Sequence, residues 1–89
     1  MPDETDEFKV ERLGEKLRAI RLRAGLSTDQ MAAQLGKTKS GRRSRVSEWE
    51  TGKRTPPLSI ILRYARFASI STDVLLDDNL DLPPVESQE

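Results

Sequence analysis

The 89-residue sequence predicts an all-α fold of five short helices, and three observations carry that expectation. Apolar residues recur at three- and four-residue spacing through the body of the chain, nothing alternates with period two, and glycine or proline punctuates the segments between. A chain of this length supports one modest core and no second one. No internal repeat or low-complexity tract interrupts it.

The first helix is expected over about Val10 to Ala24, where Val10, Leu13, Leu17, Ile20 and Ala24 share a face and Gly25 supplies a left-handed cap. Its other faces are rich in Arg and Lys. Ser27 reads as the N-cap of the second helix, Gln30 completes a capping box, and Met31, Ala32 and Leu35 carry the core face to Gly36. Residues 37–41 are polar, end in Gly41 and form a loop. The third helix then spans Arg42–Thr51 and stops at Gly52, with Val46 and Trp49 on its buried side and Arg42, Arg43 and Arg45 crowding its start. Pro56 and Pro57 open a fourth helix over Leu58–Ala68, for which Leu58, Ile61, Leu62, Ala65 and Ala68 form the expected inner face. Ser71, with Asp73 in the first turn, caps a short fifth helix that runs to Leu76.

Either side of a domain at residues 10–77, residues 1–9 and 78–89 are acidic, poor in large apolar groups and, in the second case, broken by Pro83 and Pro84. Ordering them gains little burial, so both are expected to be disordered tails.

The formal net charge of zero conceals a segregation of charge. Residues 12–72 hold fourteen Lys or Arg against only Glu15, Asp29, Glu48 and Glu50, whereas residues 73–89 carry six acids and no base. A basic body attracts polyanions, and each phosphate contact adds affinity through counterion release. The plainer alternative is an ordinary charged surface facing solvent.

Other classes are disfavoured by what is missing. With no cysteine and no histidine, the chain has no disulfide, thiolate or imidazole chemistry. No glycine-rich phosphate loop or pair of catalytic carboxylates occurs in the body, so neither an enzyme nor a metal or other cofactor is expected. No apolar run approaches the length of a membrane span, and the N-terminus is acidic where a signal peptide is basic. A cytoplasmic protein follows as the expectation.

Several pieces of the sequence occur together in a telling order: Leu13-Gly14, Leu17-Arg18, Arg21 and Gly25-Leu26-Ser27, then Met31-Ala32 and Leu35-Gly36. Val46-Ser47, Trp49-Glu50, Gly52-Lys53-Arg54 and Pro56 follow, and Ser71, Asp73 and Leu75-Leu76 close the set. In order and spacing these resemble the phage-repressor and Cro-type helix-turn-helix family, often called XRE, over about residues 10–77. The resemblance implies a lambda- and 434-repressor-like five-helix domain of bacterial or phage type, associated with the nucleoid. Its third helix would enter the DNA major groove while the second crosses the backbone.

Carried over by position, Arg43, Ser44 and Glu48 resemble the family's base-facing residues, with Arg42 beside them and Arg45 serving bases or phosphates. Arginine can donate two hydrogen bonds to the O6 and N7 edge of guanine, which makes Arg43 the first candidate reader. Glu48 can accept from the cytosine amino group while repelling phosphate, or stand as a solvated helix charge. Thr28, where the family often has glutamine, lies beside backbone N–H groups that favour a phosphate oxygen. Lys53 and Arg54 resemble a basic turn that clamps phosphate, with solvated charge as the alternative.

Trp49 can be read as a stacking platform for bases, but it stands where the family buries an aliphatic residue, and core is favoured. Arg21 and Glu50 resemble a structural salt bridge between the first and third helices. The span from Gly36 to Val46 is about four residues longer than the family's usual turn. Either Lys37 and Lys39 decorate an extended loop that touches the DNA backbone, or Ser40 caps a third helix that begins a turn early. Ser69 replaces a glycine often found between the fourth and fifth helices, at a position that requires a positive φ angle.

Two functions compete on these grounds. The first is a sequence-specific regulator of transcription, a repressor acting as a homodimer on double-stranded DNA. The second is an antitoxin or adaptor that binds a protein partner through the acidic segment 78–89, where Leu80, Leu82 and Val85 are interspersed, with DNA binding secondary. A tail that merely solubilises the domain is the simpler reading of that segment.

Overall fold

The computed structural model describes residues 10–36 and 45–84, and its five helices follow in the expected order with no strand among the described residues. They are α1 (Leu13–Arg23), α2 (Thr28–Gln34), α3 (Val46–Thr51), α4 (Leu58–Ala68) and α5 (Thr72–Leu76). α1 is the spine, since α3, α4 and α5 all pack on it, while α2 packs on α3 and α5 on α4. Leu13, Leu17 and Ile20 meet Met31, Ala32 and Leu35 from the second helical segment, Val46 and Trp49 from α3, and Leu75 from α5. The fourth helix completes this single core with Ile60, Ile61, Tyr64 and Ala65.

Local signals set most helix ends. After α1 the N–H of Leu26 donates to Arg21 O and that of Gly25 to Leu22 O, the paired bonds of a Schellman turn, with Gly25 at φ 72°. The capping box at α2 forms as expected: Ser27 Oγ accepts from Gln30 N at 3.0 Å, and Gln30 Oε1 accepts from Ser27 N at 2.8 Å. Gly36 and Gly52 also adopt positive φ angles beyond α2 and α3. At the end of α4, Ser69 takes the left-handed position at φ 59°, as anticipated where the family carries glycine.

Four expectations are corrected. α1 begins at Leu13, leaving Val10 48% exposed, and Ala24 is exposed rather than part of the core face. α4 buries Ile60, Ile61, Tyr64 and Ala65 and leaves Leu58 79% and Leu62 43% exposed. The segment LSIILRYARFA is apolar on most sides, and the stripe that admits both Ile60 and Tyr64 wins over the one led by Leu58. Ser71 precedes α5 in extended conformation but makes no side-chain capping bond. α3 begins at Val46, with Arg45 at its N-cap position, rather than at Arg42. Lys16 on α1 is buried at 1% exposure.

The burial of Lys16 explains a further difference at the C-terminus. Its ammonium donates to Val74 O at 2.7 Å and Asp77 O at 2.9 Å, carbonyls left open at the end of α5. The Asp78 carboxylate in turn accepts from the N–H groups of Glu11 and Arg12, each at 2.9 Å, just ahead of α1. Arg12 Nη1 returns to Asp78 O at 2.9 Å and to Asp81 Oδ1 at 2.8 Å, and Leu82 packs against the core. Residues 78–84 therefore form a strap on α1, within the segment expected as the acidic C-terminal tail. The remainder of both expected tails, residues 1–9 and 85–89, lies outside the described residues.

Candidate nucleic-acid interface

The geometry that matters for groove reading is the placement of α3 against α2 and α1. Val46 and Trp49 fix its inner side, at 0% and 4% exposure, so Trp49 is a core residue and offers no stacking face. Arg21 supplies the polar half of the anchor. Its Nε and Nη2 donate to the two oxygens of Glu50 at 2.7 and 3.0 Å, and its Nη1 donates to Leu26 O at 3.0 Å. One guanidinium thus ties the end of α1, the approach to α2 and the body of α3 together. Both side chains are largely sequestered, at 12% and 5% exposure, and the bond to Glu50 raises the pKa of Arg21 above its ordinary value.

Close backbone approach fixes the same joint. A Cβ at Gly14 would stand 2.5 Å from Glu50 O and 3.0 Å from Trp49 O, so only glycine admits α3 this near to α1. Thr28 opens α2 in a half-buried position, adjacent to the capping box.

With its inner face so anchored, α3 turns Ser47 and Thr51 outward, and Arg45 lies exposed at its N-cap position. Lys53 and Arg54 follow the left-handed turn at Gly52 and are both exposed. Glu48 sits between these bases with its carboxylate engaged: Oε1 accepts from Arg45 Nη1 at 3.2 Å and from Arg54 Nε at 2.9 Å. Sequence reasoning placed these three in separate roles. The spacing of Arg45 and Glu48 by three residues signals the first contact. The second depends on the chain reversal at Gly52 and has no local signature.

Of the residues expected to meet DNA, the structure gathers Arg45, Glu48, Lys53 and Arg54 along α3 and the turn that follows it, and places Thr28 at the start of α2. Lys37, Lys39, Arg42, Arg43 and Ser44 lie outside the described residues, as does Ser40. No helix among the described residues is long and apolar enough to cross a membrane.

Comparison with known families matches residues 12–78 to the family described as a helix-turn-helix domain. No curated protein and no solved structure matches the chain.

Proposed function

Because the chain belongs to the helix-turn-helix domain family, a DNA-binding family, we propose that it is a sequence-specific regulator of transcription that binds double-stranded DNA. Within that family we assign it to the phage-repressor and Cro type and give it a repressor's role, acting as a homodimer on a palindrome-like site. α3 and the residues leading into it, around Arg42–Thr51, enter the major groove. Arg42, Arg43 and Ser44 reach base edges there, while Thr28, Lys37, Lys39, Arg45, Lys53 and Arg54 meet phosphates. The protein acts by binding alone and is not an enzyme.

The observation that carries this reading is the division of α3 into an anchored and a free side. Val46, Trp49 and the Arg21–Glu50 pair fix the helix from behind, so its polar side and the basic turn after it are held at a defined height and angle. Positional rigidity of that kind is what base readout requires. An adaptor role for the acidic C-terminal segment draws less support, because Asp78, Asp81 and Leu82 are occupied by contacts with the chain's own body.

Selection from random duplexes is the direct test. A single recovered motif is expected, with affinity falling at a log–log salt slope of about −0.9 per phosphate contacted. Binding indifferent to sequence would remove the regulator. Repeating the selection with Arg43→Ala assigns that residue: lost preference at one base pair marks a reader, and uniform weakening marks a phosphate contact.

A further inference from the structure

Glu48 is the acid set among the bases of the proposed DNA-facing surface, and its two ion pairs reach to opposite ends of α3. Arg45 stands at the N-cap and Arg54 beyond the C-terminal turn, yet both guanidinium groups converge on one oxygen, Oε1. The Glu48 backbone reinforces the arrangement, since its carbonyl accepts from Lys53 N at 2.9 Å and Arg54 N at 3.3 Å. The side chains remain accessible, at 45% for Arg45, 37% for Glu48 and 56% for Arg54, so solvent and salt reach the pairs and each can open readily.

From this geometry we propose that Glu48 is a positioning residue, an electrostatic latch that holds Arg45 and Arg54 along α3 in the free protein and yields them to DNA phosphates on binding. The inference rests on the DNA-binding function proposed above. A base reader needs its carboxylate lone pairs directed at the cytosine amino group, whereas one oxygen of Glu48 already receives two guanidinium groups. Phosphates compete for the same donors, and the charge density of the duplex with release of its condensed counterions carries the exchange toward DNA. The latch opposes every duplex equally because phosphates carry no sequence. Its removal therefore changes affinity and salt dependence and leaves base preference alone.

Glu48→Gln tests this, as glutamine keeps the length and one acceptor oxygen while deleting the charge. Affinity of the full chain is measured across a salt series, for a mixed-sequence duplex and for the duplexes recovered by selection. E48Q is expected to bind both about fivefold tighter at low salt, the scale of two exposed ion pairs. Its log–log slope should steepen, because the parent must open two salt-screened ion pairs as it binds, an offset that the variant lacks. Because the effect passes through the arginines, the gain should shrink when E48Q is introduced into Arg54→Ala. Unchanged affinity and slope in E48Q, a gain that persists in full without Arg54, or an altered preference at one base pair each overturn the latch alone. Failure of the unsubstituted chain to bind duplex overturns the latch together with the function on which it rests.

Discussion

Each nitrogen of the Arg21 guanidinium donates to a fixed acceptor, two of them to Glu50 and one to Leu26 O. Arg21→Ala leaves the Glu50 carboxylate, only 5% exposed, without its counter-charge. The loss should be about 3–5 kcal/mol, lowering the melting temperature by well over 10 °C in a domain of this size. A variant that melts within a few degrees of the parent would show that Glu50 is satisfied elsewhere. Tyr64 presents the opposite case. Its side chain is fully buried, its hydroxyl has no hydrogen-bond partner among the described residues, and desolvation pushes its pKa upward. Removing an unsatisfied hydroxyl relieves a desolvation cost, so Tyr64→Phe should melt at or above the parent temperature. A drop of several degrees would mean that the hydroxyl finds a partner in solution.

Between elements, the closest constraint is the crossing of α1 over α3 at Gly14. Gly14→Ala improves helix propensity in isolation, yet its Cβ would lie 2.5 Å from the Glu50 carbonyl, so the helices must separate. Net destabilisation of about 1–3 kcal/mol is expected in denaturant titration, with weaker DNA binding as α3 shifts. Unaltered stability would show that the two helices can part at no cost. The helix ends were legible from sequence because their determinants are local: Gly25, Gly36 and Gly52 at positive φ, and the reciprocal Ser27–Gln30 bonds. The buried face of α4 was not, since its apolar residues occur on nearly every side and only tertiary packing selects Tyr64 over Leu62. Gly14 was visible within a motif, but its reason, a backbone contact to a residue far along the chain, was not.

Across the whole molecule, the pairing of Asp78 with the start of α1 and of Lys16 with the end of α5 depends on partners roughly sixty residues apart, so neither has a signature in local sequence. Of the candidate site, the anchored side of α3 and the Arg21–Glu50 pair could be read in advance, whereas the sharing of Glu48 by two arginines emerged only from the folded turn. Hydrogen bonds from the Arg12 and Glu11 N–H groups hold the Asp78 carboxyl below its ordinary pKa. A depressed carboxyl contributes stability above its unfolded value of about 3.9, and that contribution fades as pH falls through the lower folded value. Asp78→Asn should therefore melt below the parent near neutral pH, with the gap closing as both are acidified below about pH 4. A gap that stays constant through the acid range would exclude a charged role for Asp78. The same strap has a consequence for biosynthesis. The groups that complete the first helix are among the last of the domain to be translated, so α1 leaves the ribosome with Lys16 still lacking its acceptors. The nascent domain should thus resist proteolysis only after residues 74–82 have cleared the exit tunnel, making closure of this small fold an all-at-once, late event.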